Sequence, residues 1–159
     1  VGKNWAWCLT PHYPIISNIP PDFEYLVKSY HGAEELLNNI IMPADIFDLR
    51  LNLAWTMAKR FARGDKVLII DVARMYKIAG QPEKFWNTPK KGNFVDLPDA
   101  AFIANLINWR RKTGIEKTDF KLQQATMQQA LNTKAKVFYM PSNSEGTQTR
   151  PVVYITKRS

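Results

Sequence analysis

The sequence predicts a single α+β domain: about five helices packed on a small mixed or antiparallel sheet with a C-terminal β-hairpin. Two stretches repeat apolar residues every three or four positions, Ile46, Leu49, Leu53, Met57, Phe61 and Phe102, Ile103, Leu106, Ile107, the period of helices with one face inside. Short β-rich runs at Trp5–Leu9, Val67–Asp71, Lys136–Met140 and Pro151–Lys157 are bounded by turn residues. At 159 residues, 45% of them hydrophobic, the chain is long enough to bury one core without metals or crosslinks.

In chain order, Trp5, Trp7 and Leu9 alternate with Ala6, Cys8 and Thr10, as in a half-buried strand. Pro11, Pro14, Pro20 and Pro21 then forbid regular structure, and the last two suit a helix entrance. Phe23, Leu26, Val27 and Tyr30 form a helical face that Gly32 interrupts; Leu36, Leu37, Ile40 and Ile41 resume it, giving one broken helix or two short ones. The clearest helix starts near Ala44 or Asp45, runs to Arg63 and stops at Gly64, with acids in its first turn and Lys59, Arg60 and Arg63 in its last. Its stripe and that of the later helix predict that Leu53, Met57, Leu106 and Ile107 are buried.

A buried strand is expected over Val67–Asp71, and 72–79 reads either as a short helix ending at Gly80 or as more strand. Gln81–Val95, with two Pro, Gly92 and three Lys, reads as a long loop. Pro98 opens a helix that ends on Arg110, Arg111 and Lys112 with Gly114 as its stop. The Gln-rich segment Phe120–Leu131 is predicted helical, and Ser142–Gly146 joins the last two strands. The expected sheet combines the N-terminal strand, Val67–Asp71 and the C-terminal hairpin. Regular strand–helix alternation would make the fold α/β instead.

Charge is unevenly distributed. The first 58 residues carry a net −3 and the rest a net +11, for +8 in total. A basic two-thirds behind an acidic start points to a polyanion, above all nucleic acid, DNA or RNA, with an acidic protein as the alternative partner. The acidic region Asp22–Asp48 would repel that polyanion or dock a basic partner. Cys8 is the sole cysteine, which excludes an intramolecular disulfide and a cysteine-rich zinc site. No apolar run is long enough to span a bilayer, and the start lacks a basic segment followed by an apolar core. A trimmed, cytoplasmic chain is the expectation.

Three basic groups are candidate nucleic-acid contacts. The segment Lys84–Phe94 interleaves Lys84, Lys90 and Lys91 with Phe85, Trp86 and Phe94, so that ammonium groups can track phosphates while rings stack on unpaired bases. Arg110, Arg111 and Lys112 form the second group and Lys59, Arg60 and Arg63 the third; both also suit a helix C-terminus. A metal-dependent nuclease or nucleotide hydrolase is the alternative, with Asp71 and Asp119 holding Mg²⁺ and Lys121 placing the water. Asp22, Glu24 and Lys28 supply the same residue types but read as an acidic first turn. Val67–Asp71 matches the strand ending in Asp that supports Mg²⁺ in phosphate-loop NTPases, yet no G-x-x-x-x-G-K-[ST] accompanies it. His12 and His31 read as local hydrogen-bonders, and Cys8, rather than forming a nucleophile pair with His12, is expected to face the core.

Tyr76-Lys77-Ile78-Ala79-Gly80, after a helix and the strand Val67–Asp71, resembles the Gly-ending segment of ParB/sulfiredoxin-like domains. In that family an Arg three residues later contacts a nucleotide phosphate; here that position is Glu83, with Lys84 next. The resemblance spans about thirty-five residues and implies an α+β domain handling nucleotides or DNA, some members being nucleases or ATPases. Such a protein would suit a plasmid or phage control system.

Overall fold

A computed structural model describes residues 3–114, 117–132 and 137–158. Strand β1 (Trp5–Thr10) pairs antiparallel with β2 (Tyr13–Ile19) in a separate two-stranded sheet, rather than joining the main one. The prolines do not prevent this. Pro14 lies near the start of β2 in a ribbon of only two strands, where a missing N–H is tolerated. The register slips three times, and Asn18 takes a left-handed φ of 61° at the irregular step between the Trp5–Ile19 and Trp7–Ile16 pairs.

Helix α1 (Phe23–Ile40) is continuous through Gly32. A glycine lowers helix stability by about 1 kcal/mol without forcing a break, and a Cβ at position 32 would meet the Ile16 side chain at ordinary contact distance. Asp22 caps the helix by accepting from the Glu24 N–H at 2.9 Å. Trp7 fixes α1 to the ribbon, donating its indole N–H to Ser29 Oγ at 3.0 Å and meeting Tyr30 edge-on.

Helix α2 (Ala44–Lys59) ends before Arg63, and its inward face differs from the one expected. Phe47, Leu51, Ala54 and Ala58 are buried, whereas Leu53 is 53% exposed and Ile46, Leu49 and Phe61 also face solvent; Met57 is half-buried. The helix is apolar on two sides, and the inward side carries Phe47, Leu51 and two small alanines rather than the longer stripe of large residues.

Strand β3 is only Val67–Leu68, and α3 (Ile69–Ala79) begins at once. The expected strand end Ile69–Asp71 is therefore the first helical turn, where an acid suits the dipole. The supposed loop contains α4 (Glu83–Asn87) and a 3₁₀ turn at Lys91–Asn93. Helix α5 (Asp99–Thr113) follows the expected face, burying Phe102, Ile103 and Leu106 with Ile107 half-buried.

Phe120–Leu131 is not one helix. It forms β4 (Phe120–Gln124), then α6 (Met127–Asn132). Phe120 and Leu122 alternate with Lys121 and Gln123 along β4, and pairing with the last strand overrides the helix preference of Gln. Strands β5 (Phe138–Pro141) and β6 (Thr149–Lys157) form the expected C-terminal hairpin; Lys136 of the predicted strand lies outside the described residues. β6 is the axis of the sheet, with β4 on one edge and β5 and β3 in line on the other, all antiparallel. The fold is thus α+β, with six helices and two antiparallel sheets among the described residues.

The core lies between α2, α3, α5 and the inner face of the sheet. Phe47 stands at its centre, with ring centroids 5.5 Å from Tyr76, 6.3 Å from Phe102 and 6.2 Å from Trp109. Buried Asn105 ties α5 to the α1–α2 joint: it accepts from Met42 N at 2.8 Å and donates to the Ile40 and Ala101 carbonyls. Phe47→Ala is expected to lower the unfolding free energy by about 3–5 kcal/mol, and exposed Leu53→Ala by less than about 1 kcal/mol in dilute solution. Urea denaturation of both variants checks this assignment of the inner face.

Candidate nucleic-acid interface

The burial of Trp109 sets the geometry of the basic end of α5. Its indole N–H donates to Asp48 Oδ1 at 3.0 Å, and Asn52 donates to the other carboxylate oxygen at 3.2 Å, so the helix cannot roll freely. Successive residues are turned about 100° around a helix axis. Arg110 and Arg111 consequently flank a cleft of about 160 Å³ whose far wall is Met140, Pro141, Asn143 and Ser144 of the C-terminal hairpin. Lys112 lies on another side, in a cleft with Asp45, Asp48, Lys117 and Asp119.

Within the first cleft, Arg111 donates to the Ser144 carbonyl at 3.4 Å. Asn143 builds the opposing turn, donating to Thr147 Oγ1 and accepting from the Gln148 N–H. Gly146 closes that turn at φ 71°. Arg110 is half-buried, and its side chain makes no hydrogen bond or ion pair among the described residues. Burial alone pushes its pKa below the ordinary guanidinium value, and no nearby carboxylate opposes the shift. The group nonetheless stays charged near neutral pH. A charge so placed is stabilised by an anion that enters from solvent.

The lysine segment stands elsewhere. Gln81 holds its two ends together, donating to the Lys77 and Val95 carbonyls and accepting from the Val95 N–H, each at 2.8 Å. Asn93 donates to the carbonyls of Lys84 and Thr88, and Phe85 packs edge-on against Trp86 and Phe94. Trp86 is half exposed, with its indole N–H spent on the Gln81 carbonyl, so the ring is presented while its polar edge is satisfied. Lys84, Lys90 and Lys91 project from this knitted segment into solvent. Lys77, paired with Asp96 and Asp99, fastens it to the N-terminus of α5. The segment is thus tied to the N-terminus of α5, whereas the arginine cleft lies at the C-terminal end of that helix, about 21 Å of helical rise away.

Of the third group, Lys59 is taken up by the Gly64 carbonyl at 2.7 Å and by Asp65 at 3.3 Å. Arg60 and Arg63 are exposed and form no ion pair among the described residues. Sequence reasoning missed a further basic cleft where Lys121, Thr156, Lys157 and Arg158 meet across β4 and β6, with Lys121 paired to Thr156. The alternation of β4 was its signal, hidden by reading that segment as a helix.

The residues considered for metal chemistry are not brought together. Asp71, in the first turn of α3, accepts from Arg74 at 3.0 Å. Asp119 lies on the opposite edge of the sheet, where its carbonyl accepts from the Arg158 N–H, while β3 leads into Asp71 from the Tyr154 level of β6. Among the described residues no three His, Cys, Asp or Glu side chains cluster so as to hold a metal ion. His12 stacks on Tyr139 with centroids 3.8 Å apart, and His31 sits exposed beside Glu34. Cys8 is exposed rather than turned to the core. Among the described residues no helix is long and apolar enough to cross a membrane.

Comparison with protein-family models, curated proteins and solved structures gives no match. Asn93→Ala removes both amide bonds that fold the lysine segment, at about 1 kcal/mol each. Trypsin is then expected to cut after Lys84, Lys90 and Lys91 several-fold faster than in the wild type, while sites in α2 and α5 keep their protection. Mass-spectrometric timing of the fragments checks this.

Proposed function

We propose that the protein binds nucleic acid, with the phosphate backbone held at the Arg110–Arg111 cleft. The observation that carries this reading is the half-buried Arg110 guanidinium, charged and without an anionic partner among the described residues. Guanidinium groups suit phosphate because their planar fork donates two parallel hydrogen bonds to its oxygens. The net charge of +8 supplies attraction at longer range. Lys84, Lys90 and Lys91 form a second contact zone, and the exposed ring of Trp86 offers an unpaired base a stacking surface. Charge without base-reading groups neutralises phosphates indiscriminately, so binding is sequence-tolerant.

Fluorescence anisotropy with labelled single- and double-stranded oligonucleotides over a range of salt tests this. Arg110→Gln and Arg111→Gln are expected to weaken every sequence alike and to flatten the log–log salt slope by about one unit per lost contact. Trp86→Ala is expected to weaken single strands more than duplexes. Affinity unaltered by both arginine substitutions would overturn the proposal. Equal affinity for polyglutamate would favour an acidic protein as the partner instead.

A further inference from the structure

Helix α2 leaves a line of large apolar side chains in water. Ile46, Leu49 and Leu53 are 46%, 69% and 53% exposed, half-buried Met57 continues the line, and Phe61 in the following turn is 77% exposed. Such spacing puts all but Phe61 on one helical face, away from the buried Phe47, Leu51, Ala54 and Ala58. We infer that this face is a self-association surface, on which two copies of the chain pair their α2 helices antiparallel about a two-fold axis at Leu53.

The sequence of the face is self-complementary in the way such an axis demands. A two-fold contact pairs residue i with j and j with i. With the axis at Leu53, Leu49 of one copy meets Met57 of the other, the two Leu53 side chains meet each other, and Ile46 falls opposite Arg60, next to Phe61. The charges agree with this direction. Asp45 begins the helix, and Arg60 and Arg63 follow its end; none of the three has an ion-pair partner among the described residues. Antiparallel pairing brings Asp45 of each copy to the Arg60–Arg63 end of the other, at both edges of the contact. Parallel pairing would oppose arginine to arginine and aspartate to aspartate. Side-chain exposures of this size leave roughly 400–500 Å² of apolar surface, as much as the largest patch on an ordinary monomer. That matches the apolar share of the ~800 Å² each partner buries in a standard interface.

Sedimentation velocity of the full chain in reducing buffer, where exposed Cys8 cannot crosslink, tests the inference. The wild type is expected to shift from monomer to dimer between about micromolar and about 0.5 mM protein. Leu53→Glu places two carboxylates on the axis and is expected to weaken the dimer at least tenfold without altering the far-ultraviolet circular dichroism; Leu49→Glu serves as a second variant. Asp45→Lys alone is expected to weaken association, and the combination D45K/R60E/R63E to restore it. A wild type monomeric throughout the range, or a dimer indifferent to both Leu53→Glu and Leu49→Glu, would overturn the inference.

Discussion

The packing of Phe47 against Tyr76, Phe102 and Trp109 is the contact on which the rest of the molecule depends. It joins α2, α3 and α5 in one place, and Phe120 of the sheet extends the cluster to Trp109 and Trp55. Large rings with few rotatable bonds bury much area at little entropic cost, so one such cluster can orient three helices. Trp109 then transmits that order to the surface. Its bond to Asp48 sets the roll of α5, and the roll decides that Arg110 and Arg111 face the hairpin while Lys112 faces the acids.

Much of the architecture was legible in the sequence because local pattern and tertiary environment agree there. The α5 face, the C-terminal hairpin and the α+β class follow from periodicity and turn residues that packing does not contradict. The misreadings share a cause. In α2 two faces are apolar, so periodicity marks a helix without saying which side is inside. At Ile69–Asp71 and Phe120–Gln124 the short runs suit either state, and pairing with β6 made the choice: β3 stops after two rungs, whereas β4 continues for five residues.

The candidate site was legible by residue type but not by arrangement. Arginines at the end of a helix are visible in any reading. Their burial, the missing counterion and the wall built by Asn143 and Ser144 come from contacts more than thirty residues away. The C-terminal dipole of α5 offsets part of the cost of that charge, typically about 0.3–1 kcal/mol. An anion held by two guanidinium groups would offset the remainder. The separate lysine segment, tied to the other end of α5, suits a long polyanion better than a small one.

The most direct measurement is of Arg110 itself. Nitrogen-15 NMR of the arginine Nε–H groups, recorded while a short single-stranded oligonucleotide is added, follows this side chain apart from the rest of the charge. Binding at the cleft is expected to shift the Arg110 and Arg111 signals together to saturation, while Arg74, which is paired with Asp71, stays unmoved. An Arg110 signal that is unperturbed at saturating oligonucleotide would contradict it.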